Sequence, residues 1–138
     1  MNLALLAAAP LPVIVHVATV VPAFCLGLWQ FLVSTKGSSA HRAVGTLYLL
    51  LMTATAGTAL FVHTPGFRHI DLGPLQLSWI HLFIPLTLYG VLGSTLAVRR
   101  HDVAGHRRAM INTFVGALLI AGGFALSPGR IMHAVLFS

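Results

Sequence analysis

The sequence is nearly without acid. Asp71 and Asp102 stand against eight Lys and Arg residues, and there is no glutamate. Catalysis by paired carboxylates therefore has no residues to use. A Ser-His-Asp site has no buried Asp to orient its histidine, and no glycine-rich phosphate loop is present. Charge of either sign is scarce, at 7% of residues, where a soluble domain carries about 25%. Hydrophobic residues make up 57% of the chain and the mean hydropathy is +0.92. This excludes a soluble domain, and it excludes disorder, which needs low hydrophobicity. Cys25 is the single cysteine, inside an apolar run, so it forms no internal disulfide and says nothing about redox compartment. The net charge of +6 does not point to nucleic acid, because no basic stripe lies on a polar face. The charges sit between apolar segments, where membrane topology places them. The 138 residues are expected to form one compact integral membrane unit.

A membrane helix needs about 20 mostly apolar residues. Four uncharged windows qualify, about residues 11–34, 43–63, 75–98 and 109–126. The start, MNLALLAAAPLP, lacks a basic region and runs into the first window, so it reads as uncleaved. The first linker carries Lys36 and Arg42, and the third reads RRHDVAGHRR. The second balances Arg68 with Asp71. This bias puts the first and third linkers inside, and both termini outside the cytoplasm. Short linkers make neighbouring helices antiparallel. The expected fold is all-α, a four-helix up-down-up-down transmembrane bundle. Small residues, as in TATAGTA at 53–59, would let helices approach closely. Pro22 and Pro85 are expected to bend helices one and three. Ser127-Pro128-Gly129 should end helix four, leaving the tail at the outer interface.

A shift of 65 residues lays His16 on His81, His41-Arg42 on His106-Arg107, and Ala56-Gly57 on Ala121-Gly122. Each half reads His, 24 residues, then His-Arg. Two helical-hairpin repeats are inferred, related by an axis along the membrane normal.

Histidine is the one side chain that recurs where chemistry is possible, as metal or haem ligand, proton carrier or packed polar group. His16, His63 and His81 fall near the outer helix ends, with His69 in the outer linker and His133 in the tail. His41, His101 and His106 fall at the inner face. His16 is roughly 27 Å of helix from the inner end at Ser34. If helices one and three are diagonal, His16 meets His81, and helices two and four bring His41 to His106.

This layout suits two b-type haems, each iron held by two imidazoles from facing helices. His16 and His81 would be the outer axial pair, His41 and His106 the inner pair. Arg42, Arg107 and Arg130 would meet propionates. The layout is similar to that of transmembrane di-haem cytochrome b proteins, though His41 and His106 begin their helices, so an inner haem would sit shallow. Headgroup anchoring remains open for the two His-Arg steps. A zinc or copper site would draw on His16, His63, His81, His69 or Asp71, without supporting spacing. A quinone headgroup would also suit a site of His, Tyr and Arg. The leading expectation is a haem-binding electron carrier, possibly quinone-linked in the sense that a quinone would be its partner. The alternative is a non-catalytic accessory subunit inside a larger membrane complex or homo-oligomer.

The segments GLWQF (27–31), HRAVGTLY (41–48), IHLF around His81, HRRAMINTF (106–114) and SPGR (127–130) carry a resemblance. The chain resembles the domain-of-unknown-function 2306 family, small bacterial membrane proteins with four or more helices. The resemblance implies a bacterial inner-membrane protein and supplies no activity.

Overall fold

The computed structural model describes residues 3–62, 70–73 and 75–137. Within these the chain is mostly helical. A short α1 (Leu3–Ala7) precedes α2 (Leu11–Leu32) and α3 (Ser39–Ala59). A small hairpin follows, β1 (Ile70–Leu72) against β2 (Leu75–Leu77), with Ile70 opposite Leu77. A 3₁₀ turn (Trp79–Leu82) leads into α4 (Phe83–Arg99). The last long rod is α5 (Val103–Thr113), a π-helical stretch (Phe114–Ile120) and α6 (Ala121–Ala125), followed by α7 (Ile131–Phe137).

Three helical stretches are long and apolar enough to cross a membrane: Leu11–Leu32, Trp79–Arg99 and Val103–Ala125. The fourth expected window gives α3, 21 residues long but carrying Thr46, Thr53, Thr55 and Thr58 along with His41 and Arg42. The end of that window, at His63, lies outside the described residues.

The helix starts are fixed by local chemistry. Ser38 Oγ accepts the His41 N–H at 3.0 Å to cap α3. Asp102 Oδ1 accepts the Gly105 N–H at 2.8 Å to cap α5. At the other side of the first linker, Lys36 Nζ donates to the carbonyls of Gln30, Phe31 and Ser34. A cation at a helix C-terminus satisfies carbonyls that the helix itself cannot.

α2 packs along α3, and α4 along α5. α3 also touches α4, and the π-helical stretch touches both α4 and α2. The core is Ala23, Tyr48, Met52, Met110, Phe114 and Leu118. Phe114 stacks on Phe24 at 5.7 Å and meets Phe31 edge-on at 5.1 Å. Two glycines set the spacing. A Cβ on Gly27 would stand 2.6 Å from the Phe114 ring and 3.1 Å from Tyr48, and one on Gly90 would stand 1.9 Å from Thr113 Oγ1. Each helical pair thus has one glycine pressed against the following helix.

Three expectations change in detail. The third window starts as a strand at Leu75, not as a helix. Gly73, at φ 68, turns the chain there, and helical structure begins only after the Ser78 cap. Pro85 falls in the first turn of α4, where its missing N–H has no helical partner to lose. The tail folds into α7, which packs on α1. Ser127-Pro128-Gly129 does end the fourth rod, with Gly129 at φ 86.

Gly27→Ala forces a methyl group into the Phe114 ring. It should lower stability by about 1–3 kcal/mol, as overpacking does, read as a lower unfolding midpoint in detergent. Gly57→Ala, with open space around its Cβ position, is the control that should leave the midpoint unchanged.

Candidate functional site

One cavity of about 210 Å³ lies between the helices. Its walls are mostly apolar, with Val20, Met52, Ile84 and Ala117 among them. Five polar side chains line it: His16, Thr55, His81, Thr87 and Arg130. The two threonines are already engaged. Thr55 Oγ1 donates to Thr19 Oγ1 at 2.9 Å, and Thr87 Oγ1 donates to the Phe83 carbonyl at 2.6 Å. The two histidines and the arginine remain as the groups able to address a ligand.

His16 is held from α3. Its Nδ1 lies 3.1 Å from the Thr55 carbonyl and 3.1 Å from Thr58 Oγ1. A carbonyl only accepts, and the Thr58 hydroxyl spends its own hydrogen on the Ala54 or Thr55 carbonyl. Nδ1 of His16 therefore donates, and its Nε2 carries a lone pair.

His81 is held in the opposite sense. The Ser78 backbone N–H donates to its Nδ1 at 2.9 Å, while the Ser78 side chain caps the His81 N–H. This is a capping box with histidine in the place usually taken by Glu or Gln. Nδ1 accepts, so the proton of the neutral ring is on Nε2. His81 is 9% exposed, and its Nε2 is buried with no hydrogen-bond partner among the described residues. A buried polar atom left this way calls for an explanation.

Arg130 follows the turn that ends the fourth rod and is buried against the same cavity. Burial pushes its guanidinium below its ordinary value, and it stays charged at neutral pH. The cavity thus gathers a lone pair from α2, an N–H from the 3₁₀ turn and a cation from the tail.

The inner histidines also share a pattern. His41 Nδ1 lies 2.8 Å from Ser34 Oγ, and His106 Nδ1 lies 3.0 Å from Ser94 Oγ. In each pair a serine near the end of one helix holds the histidine that opens the next. The two rings are near enough for their charges to repel. Gln30 Nε2 donates to the His41 carbonyl at 2.7 Å, while Gln30 Oε1 and the Tyr48 hydroxyl are buried without a partner among the described residues. Arg42 and Arg107 do not join this cluster as buried charges. Both are exposed, and Arg42 donates to the Gly37 carbonyl of its own linker at 3.1 Å.

A bis-histidine haem asks each ring to present an Nε2 lone pair, with Nδ1–H donated to a carbonyl or similar acceptor. His16 meets this demand and His81 does not. The cavity is also below the roughly 300–1,000 Å³ of pockets that take drug-sized ligands, and a porphyrin is larger still. In this arrangement the outer residues do not fit a haem. Among the described residues no three His, Cys, Asp or Glu side chains come together. His63 and His69 lie outside those residues. His101 is exposed on a linker at φ 56, and the His133 ring packs 5.0 Å from Phe137.

Ser78 was legible as the first position of a capping box from its spacing to His81. Thr55, Thr58 and Ser94 gave no signal, since threonine and serine recur throughout the helices. The π-helical stretch beside the cavity had no signal either.

An apolar helical protein with a histidine- and arginine-lined interior cavity is a membrane protein with a candidate ligand site. The family model described as a predicted membrane protein, DUF2306, matches residues 13–134, and the chain belongs to that family. No curated protein and no solved structure matches it.

Ser78→Ala removes the cap on the turn that holds His81. It should lower the unfolding midpoint by an amount equivalent to about 1 kcal/mol. Thr53→Ala, an exposed hydroxyl bonded to its own helix, should change it little.

Proposed function

We propose that this chain is a four-helix membrane protein of two hairpins that holds a quinone-class ring in its outer cavity and serves electron transfer. The observation that carries the reading is the convergence of His16, His81 and Arg130 on one otherwise apolar cavity. A mostly apolar pocket with a few convergent polar groups is the usual form of a small-molecule site. The volume suits one compact ring, and the apolar walls suit a ligand that arrives from the lipid. The two donors, His81 Nε2–H and Arg130, match carbonyl oxygens. α3 is the least apolar of the four spans in this reading, because its threonines bond back to their own helix and to His16.

The basic first and third linkers place the His41/His106 end in the cytoplasm and the cavity toward the outer face of a bacterial inner membrane. A haem at the outer site would need His81 to give up its Ser78 cap and reverse its tautomer. His16 alone has the orientation of an axial ligand.

Titrating the detergent-solubilised protein with decylubiquinone should quench Trp79 emission saturably, since Trp79 adjoins His81. His81→Phe should weaken binding by about tenfold, the scale of one buried hydrogen bond. Absence of saturable quenching contradicts the reading. A reduced-minus-oxidised spectrum of the same sample separates the haem alternative: sharp b-type bands lost in His16→Ala would establish haem instead.

One observation favours an accessory role as a second reading. Tyr89 is 76% exposed at the middle of α4, among Leu82, Leu86, Leu92 and Leu96. A phenol facing hydrocarbon at mid-span gains from a partner helix that offers an acceptor. A photo-crosslinking residue at position 89 should then capture a discrete protein partner in membranes, and labelling of lipid alone contradicts it.

A further inference from the structure

The two histidines at the cavity present opposite hydrogen-bonding faces, and this bears on which redox form of a ring the site takes. The inference rests on the quinone reading above. His16 Nδ1 donates to the Thr55 carbonyl at 3.1 Å, which leaves Nε2 as an acceptor. His81 Nδ1 accepts from the Ser78 N–H at 2.9 Å, which leaves Nε2–H as a donor. Neither ring is placed to be charged. No carboxylate lines the cavity, and the Arg130 guanidinium lines the same walls. An imidazolium buried beside a second cation, with no anion, would be strongly disfavoured.

The cavity therefore offers one lone pair, at His16, and two donor groups, at His81 and Arg130. An oxidised quinone carries only acceptors. It satisfies His81 and Arg130, and it leaves the His16 lone pair facing a ligand that has nothing to give. A hydroquinone has two hydroxyls, each able to donate and to accept. One hydroxyl donates to His16 Nε2 and the oxygen of the other accepts from His81 Nε2–H or Arg130. All three polar groups of the site are then matched.

We propose that the outer cavity selects the reduced, hydroxyl-bearing form of its ring ligand, with His16 Nε2 accepting a ligand hydroxyl and His81 Nε2–H donating to a ligand oxygen. The selection comes from the two protein anchors, the Thr55 carbonyl and the Ser78 amide, which fix the two rings in opposite tautomers. Leaving a buried acceptor unmatched is the larger penalty in such a pair. The difference of one matched against one unmatched group corresponds to about tenfold in affinity.

The test is an anaerobic titration of the full chain in detergent with decylubiquinol and, separately, decylubiquinone. The quinol should bind about tenfold more tightly. His16→Leu should erase that advantage while leaving quinone affinity within about twofold. Nitrogen NMR of the wild-type protein, labelled in histidine, gives a readout that needs no variant. It should report a protonated Nδ1 for His16 and a protonated Nε2 for His81. Equal affinities for the two forms overturn this inference and leave the quinone reading standing, as does a His81 ring protonated at Nδ1. Binding of neither probe overturns the quinone reading and this inference with it.

Discussion

In a hydrocarbon surrounding, a polar group finds its partner inside the protein or goes without, because no water is there to supply one. That constraint explains most of the side-chain bonds in this chain. The hydroxyls of Thr46, Thr53, Thr58, Thr87, Thr95 and Thr113 each bond to a carbonyl one turn earlier in their own helix. This back-bonding lets threonine sit in an apolar helix at low cost. The histidines cannot satisfy both ring nitrogens so locally. Each is therefore tied at Nδ1 to a neighbour, His16 across to α3 and the others to a serine. What remains after this accounting is short: His81 Nε2, Gln30 Oε1 and the Tyr48 hydroxyl are buried with no partner among the described residues. His81 is the one of these three that lines the cavity.

The packing separates that cavity from the inner histidines. Met52 forms part of the cavity wall and Tyr48 lies one turn nearer the inner end of α3. Around them Ala23, Phe114 and Leu118 close the interior. The close contacts at Gly27 and Gly90 draw the helices together on the inner side of this layer, where a side chain larger than hydrogen would push them apart. Beside the cavity the fourth rod loosens into its π-helical stretch, and Gly122 lines the wall with no bulk of its own. Room for a ligand is thus made by small residues and an irregular helix, while the rest of the interior is filled. π-helical segments recur at functional sites for this reason.

Much of this was legible in the sequence. Apolar windows separated by basic linkers gave the long helices, since length and charge alone decide them. The depth of each histidine followed from its distance along a helix. That placed His16 with His81 and His41 with His106, and the structure brings both pairs together. Arg130 was legible as a cation near the outer site, although its burial was not. The tautomers were not legible, because they depend on whether a carbonyl or an amide hydrogen faces Nδ1. Thr55 and Ser78 decide that by their orientation, which no spacing encodes except the capping box at Ser78. The haem expectation failed to fit at this point: two histidines at matching depth look alike in sequence and differ in which nitrogen is free. Arg42 and Arg107 were also indistinguishable from Arg130 by composition, yet they stay on the surface.

The central claim is that a quinone-class ring sits between His16, His81 and Arg130. Photolabelling membranes that contain the protein with an azido-quinone, followed by peptide mass mapping, tests it most directly. The account predicts labels on cavity residues such as Met52, Ile84 or Ile131, competed away by excess decylubiquinol. Labels confined to the lipid-facing residues of α4, unaffected by competitor, would contradict it.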